Sequence, residues 1–134
     1  VLDVEAVAAI AHGANAALQD WARDPYAAVP WFGATPHTRD SYMSGIRFAL
    51  DYLRDNSRLP TAREQHERWL AWHAERGWSW GDAVDEREKT HSDMVPWEEL
   101  SRAQQLKDEL FLHIVLWAVI IGVNGRHPTT ERSS

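Results

Sequence analysis

Apolar residues recur at helical spacing in four stretches of the chain, and each stretch is bracketed by residues that start or stop helices. Asp3 stands where an N-cap would open a first helix running to about Gln19, with Val4, Val7, Ala8, Ala11 and Leu18 near one face. Asp24 to His37 follows, punctuated by Pro25, Pro30 and Pro36 and carrying Trp31 and Phe32; it reads as a loop that packs aromatics. A second helix is predicted from Thr38 to Arg54, striped by Tyr42, Ile46, Ala49, Leu50 and Leu53. Pro60, then Thr61 with Glu64 three residues on, predicts a capping box at the start of a third helix, and Gly77 stands where a glycine would end it. Trp78 to Trp97 is too charged between Asp82 and Lys89 for a buried element and predicts a β-hairpin or an ordered loop. Ser101 and Gln104 predict a second capping box, opening a last helix that runs to about Ile121 and stops at Gly122.

The most apolar run, Leu110 to Gly122, contains His113 and falls short of the roughly 18 residues that a membrane span requires. It predicts a buried core helix, and no membrane association is expected. No internal repeat is evident. The pattern as a whole predicts one domain over residues 1–125, with residues 126–134 a disordered tail.

Composition narrows the function. The chain has 134 residues, a formal net charge of −6, no cysteine and eight tryptophans. One core can form at this length without staples. Zero cysteine removes disulfides, thiolate metal sites and thiol nucleophiles. An acidic surface argues against nucleic acid, which needs basic residues to displace counterions. Val1-Leu2-Asp3 opens with neither a basic region nor an apolar segment followed by small residues, so the expected location is cytoplasmic.

Candidate chemistry is sparse. His66-Glu67 would begin a zinc-peptidase motif, but position 70 is Leu, and His73 lies about two turns on. Nucleophile elbows, phosphate loops and dinucleotide fingerprints are absent. Among 20 acidic residues nothing singles out an acid/base pair. Neither catalysis, nor a metal, nor a cofactor is indicated.

One block stands out: His66-Glu67-Arg68-Trp69, then Gly77-Trp78-Ser79-Trp80-Gly81, Asp85, Lys89-Thr90-His91, Val95-Pro96-Trp97 and Lys107-Asp108. In order and spacing it resembles the RyR domain, found in tandem in ryanodine receptors and as single copies in bacterial and phage proteins. The resemblance is best over residues 60–112 and departs in three places. Trp80 and Trp97 stand where the family has Tyr, and Ser92 stands where it has Pro. It implies an α+β unit, mainly α, of paired helices with short antiparallel strands. In the receptors, paired repeats hold an adenine nucleotide between tryptophans, and the tryptophan concerned corresponds to Trp69. Single-copy members occur in settings that imply sensing of nucleotide-derived signals in phage–host conflict.

A non-catalytic site for a small nucleotide-derived ligand fits the residues. Indole stacking on a purine contributes about 1–3 kcal/mol per aromatic. Trp69 and Trp72, three apart on the third helix, are surface neighbours, and His73 lies one turn after Trp69. Arg76 and Lys89, with Arg68, are candidates for phosphate, and His91 is a further ligand candidate. Arg68 and Arg76 could equally flank the helix in solvent, while Lys89 and His91 could pin the loop by hydrogen bonds to carbonyls. A sandwich of two Trp69 side chains requires two chains, which makes a homodimer part of this expectation. Trp78, Trp80, Trp97 and Trp117 read as scaffold, and Trp21 and Trp31 as core or rim. Two other function classes stay open: a structural or protein-interaction module, and an enzyme using Asp82 or Asp85 as a base.

Overall fold

Local capping signals set most of the helix boundaries in the computed structural model, which describes residues 2–21 and 30–122. Helix α1 (Val4–Trp21) opens on Asp3, whose Oδ1 accepts from the Ala6 N–H at 3.1 Å. Helix α2 (Pro36–Asn56) starts two residues before the expected Thr38. Thr35 Oγ1 accepts from Thr38 N–H, and Pro36 occupies the first turn, where a missing N–H leaves nothing unpaired. Helix α3 (Ala62–Glu75) has the complete box: Glu64 N–H donates to Thr61 Oγ1 and Thr61 N–H to Glu64 Oε1. Helix α4 (Arg102–Ile121) has half of one. Ser101 Oγ accepts from Gln104 N–H, but Gln104 Oε1, the acceptor the other half needs, has no partner. Gly122, at φ +69°, ends α4 as expected.

Helices α1 and α3 each pack on α2 and α4. The core is the line where α1, α2 and α4 meet: Val7, Ala8 and Ala11, then Ile46 and Ala49, then Phe111, Leu112, Val115 and Ala118. Only that face of α4 is buried. Leu116, Trp117, Ile120 and Ile121 are exposed, so the expectation of a buried core helix is corrected to one buried face. Trp117, 45% exposed, is not core, because it falls two residues past Val115 and points away from the packed stripe. Among the described residues no helix is long and apolar enough to cross a membrane.

Between α3 and α4 the chain forms β1 (Ser79–Trp80) and β2 (Thr90–His91), paired in parallel, where the family resemblance implied antiparallel strands. Two chain reversals separate them, which restores the direction. The second reversal is a small antiparallel unit in which Asp85 and Thr90 exchange both backbone hydrogen bonds at 3.0 Å. Asp85 Oδ1 accepts from Arg87 and Glu88 N–H inside that turn, and Lys89 closes it at φ +57°. Gly81 must be glycine here: a Cβ would stand 2.6 Å from Thr90 Cβ. Trp80 is 55% exposed, against the expectation of a core position. The strand is two residues long and nothing among the described residues packs over its outer side, so alternation alone does not bury the ring. Asp24 to Val29 of the expected loop, the Trp21 side chain and the expected tail lie outside the described residues.

Candidate functional site

The end of α3 organises the aromatic residues. Gly77, at φ +85°, lets the chain turn so that Trp78 N–H donates to His73 O and Gly77 N–H to Ala74 O, both at 3.0 Å. This left-handed helix stop fixes Trp78 against His73, with ring centroids 5.3 Å apart. Trp78 is therefore buried by the helix cap and not by the strand that follows it. Lys89 Nζ donates to the Arg76 carbonyl at 3.0 Å, supplying a partner to a carbonyl the helix leaves open.

A cavity of about 390 Å³ opens between α1 and α3, with α2 and α4 at its sides. That is within the range of small-molecule pockets. Its α3 wall carries Trp69, Trp72 and His73, joined by Trp78, by His91 of β2 and by His37 of α2. The rings contact one another. His37 stacks on Trp78 at 4.3 Å and 15°, Trp69 lies 4.2 Å from His73, and His91 meets Trp69 edge-on at 4.8 Å.

Hydrogen-bond partners assign the imidazole protons. His73 Nδ1 lies 3.0 Å from the Trp69 carbonyl, which only accepts, so Nδ1 carries the hydrogen. His73 Nε2 then accepts from His37 Nε2–H at 3.2 Å. His91 Nδ1 accepts from Asp93 N–H, leaving its hydrogen on Nε2. His66 Nε2 donates to the Val95 carbonyl at 2.7 Å, and its Nδ1 faces Asp108 Oδ2 at 3.8 Å. Burial favours the neutral forms: it pushes His73 down to about 4 and His91 to about 3, the latter helped by the His73 charge. His12 and His37 are lowered too, chiefly by burial. Burial acts the other way on Asp108, raising its carboxyl to about 7.

Of the six expected ligand residues, Trp69, Trp72, His73 and His91 line this cavity. Arg76 and Lys89 do not. Arg76 lays its guanidinium over the Trp72 ring at 3.8 Å and donates to the Trp72 carbonyl. With Arg47 and Arg68 it lines a second, more open recess, which shares Trp72 and Arg68 with the first. Lys89 takes the carbonyl-pinning position. His91 lines the cavity, and its ring accepts from the Asp93 N–H in place of the expected bond to a backbone carbonyl.

Sequence reasoning missed the opposite side of the cavity: His12 and Asn15 on α1, Gln65 on α3, and Gln104 and Asp108 on α4. A signal was there. His12 and Asn15 continue the Ala8–Ala11 stripe, and a polar residue on a buried face is more informative than an apolar one. Among the described residues no group of three or more His, Cys, Asp or Glu is placed to hold a metal ion.

Comparison with known proteins gives one result. The family model of the RyR domain matches residues 46–121. No curated protein and no solved structure matches the chain. The matched segment takes in most of α2 and all of α3, β1, β2 and α4, with Trp69, Trp72, His73, Trp78 and His91. Helix α1, with His12 and Asn15, and the first turns of α2, with His37, precede it. A match over more than half of the chain, through the same motif block that carries the ring cluster, places this protein in the RyR domain family.

Proposed function

We propose that this RyR domain binds a small nucleotide-derived ligand without turning it over, as a sensor or sequestering protein acting in the cytoplasm during phage–host conflict. The observation that carries this reading is the ring-lined cavity, walled by three indoles and three imidazoles that stay uncharged at neutral pH. A flat nucleobase is the ligand part such a wall recognises, because π-faces stack on it without base-specific hydrogen bonds. Trp69, Trp72, His73 and His91 would meet the base. Phosphate would stay outside the ring wall, at the recess where Arg47, Arg68 and Arg76 gather. Lys89 would support the site through the Arg76 carbonyl.

Titration with adenine nucleotides, cyclic dinucleotides and cyclic ADP-ribose, followed by tryptophan fluorescence, tests the reading. Saturable quenching that Trp69→Ala weakens at least tenfold is expected, with the ligand recovered intact. No response to any of them, or unchanged binding by Trp69→Ala, would overturn it.

A second reading, a protein-interaction module, draws on the exposed Leu116, Trp117, Ile120 and Ile121. The same apolar end of α4 would give two copies of the chain an area to bury, and the homodimer belongs to the proposal in that form. Sedimentation of the intact chain and of Ile120→Glu tests it: a dimer that the substitution dissociates is expected, and a monomer at all concentrations would refute it.

A further inference from the structure

The α1 side of the cavity holds polar atoms with nothing to bond to. His12, Asn15 and Gln65 are each more than nine-tenths buried. Both ring nitrogens of His12, Asn15 Oδ1 and Gln65 Oε1 have no hydrogen-bond partner, and neither has Gln104 Oε1. All four side chains line the one cavity. A buried donor or acceptor left unsatisfied costs about 1–3 kcal/mol, so several at one place mark a surface shaped for something that bonds to it.

The helices bring these atoms together through one stretch of α2. Tyr42 touches the His12 ring edge-on at 5.3 Å, and its hydroxyl accepts from Asn15 Nδ2 at 3.0 Å. One turn on, the Gly45 carbonyl accepts from Gln65 Nε2 at 3.1 Å. Phe111 of α4 packs on Tyr42, two turns after Gln104 and one after Asp108. The amide nitrogens of Asn15 and Gln65 are thus engaged, and their oxygens are left without a partner. The backbone is pressed close here, since a Cβ at Gly45 would stand 3.0 Å from Phe111 Cζ.

Donor and acceptor types define the occupant. Three amide oxygens accept only, and a neutral His12 adds one N–H and one lone pair. Among the described residues, the other fully buried lining donor without a partner is Arg68 Nη1, on the side of the arginine recess. A phosphate or carboxylate brings only acceptors and would set oxygen against oxygen. A hydroxyl donates one hydrogen and accepts another, so a pair of adjacent hydroxyls can donate to the amide oxygens and accept from His12.

We propose that His12, Asn15, Gln65 and Gln104 form a subsite for the vicinal diol of a ribose, and that it selects ribonucleosides over deoxyribonucleosides. The proposal rests on the nucleobase reading of the ring wall and adds a specificity to it. His12 and Asn15 lie ahead of the segment the family model matches, and Gln65 and Gln104 lie within it.

The test uses the intact protein and calorimetric titration with the four common ribonucleosides, their 2′-deoxy and 3′-deoxy forms, and the free bases. For whichever base binds, the ribonucleoside is expected to bind at least tenfold more tightly than either deoxy form. Asn15→Leu and Gln104→Met should bring that ratio to about one while leaving the free base unaffected. Gln104→Met, which removes an unpartnered acceptor, should unfold at equal or higher urea. Equal binding of ribo and deoxy forms by the wild type would mean that water alone fills the subsite; it would overturn this proposal and leave the ring wall standing. Binding of none of the nucleosides or bases would overturn both.

Discussion

Replacing Asp108 with Asn should stabilise the fold at high pH and leave it unchanged in acid. The Asp108 side chain is 24% exposed, and its carboxyl is raised from 3.8 to about 7, first by burial, then by the Asp93 and Glu109 charges, with Lys107 opposing. The folded-state pKa is above the unfolded one, so the group carries no penalty below about pH 3.8, where both states are protonated. As pH rises from there to about 7, the unfolded chain ionises while the folded one holds its proton, and stability falls by about 1.4 kcal/mol per unit. The full interval gives about 4 kcal/mol, and screening by the exposed quarter of the side chain reduces it to roughly 2–4 kcal/mol. Asn keeps the shape and never ionises. Urea unfolding followed by tryptophan fluorescence at pH 4, 6 and 8 should give coincident curves in acid and a midpoint for Asp108→Asn that moves steadily higher above it. A variant less stable than wild type at pH 8 would refute the reasoning. It would show that His66 Nδ1, 3.8 Å away, holds Asp108 as an ion pair that stabilises the fold.

The histidines act with the opposite sign: His73 and His91 are lowered from 6.5 to about 4 and about 3, so the stability they contribute is present above pH 6.5 and lost below it. In Asp108→Asn, where nothing offsets them, the unfolding free energy should fall by about 2.7 kcal/mol per unit between pH 6 and 4, and a flat profile would contradict their burial as neutral groups. Gly81→Ala should destabilise by about 1–3 kcal/mol, read from the urea midpoint, because the new methyl meets Thr90 Cβ at 2.6 Å. Lys89→Met should lower stability by about 0.5–1.5 kcal/mol and leave ligand affinity within twofold, since Nζ is spent on the Arg76 carbonyl; a tenfold loss of affinity without loss of stability would make Lys89 a ligand contact.

Much of the fold was legible because capping is local chemistry. Asp3, Thr61 with Glu64, Gly77 and Gly122 each mark an element end in both sequence and structure. The candidate site was legible on one helix. Trp69, Trp72 and His73 share a face of α3 by spacing alone, and the structure puts them on one wall. What failed depended on partners that spacing does not contain. Trp80 and Trp117 satisfy the periodicity of a buried strand and a buried helix, but no layer among the described residues covers them. The parallel pairing of β1 with β2 follows from two reversals between Gly81 and Lys89, which the charged run there concealed. His37 lies 36 residues before His73, and only the packing of α2 on α3 brings their ring nitrogens to 3.2 Å.

The charge layout also bears on how the proposed ligand would lie. His73 and His91 are neutral at pH 6, and their tautomers are fixed by the Trp69 carbonyl and the Asp93 N–H, so the ring wall presents dipoles and π-faces without net charge. Two cations line the same cavity, Arg68 where it meets the arginine recess and Lys107 on α4, while Arg76 lies over the far side of the cluster at Trp72 and Lys89 at the helix end. A phosphate placed among the rings would stand within a few ångströms of both imidazoles, and an opposite charge at that range raises a histidine by about 1–3 pKa units. His73, starting near 4, would then approach pH 6 and bind a proton as the ligand binds. A nucleoside placed there, with its phosphate outside at the arginines, would recruit none. Calorimetry at pH 6 with a cyclic dinucleotide, whose phosphodiesters do not titrate near that pH, in two buffers of different ionisation enthalpy separates the cases. The expected result is the same binding enthalpy in both buffers; uptake approaching one proton would put the phosphate inside the ring wall and reverse the orientation argued from the acceptor-rich α1 side.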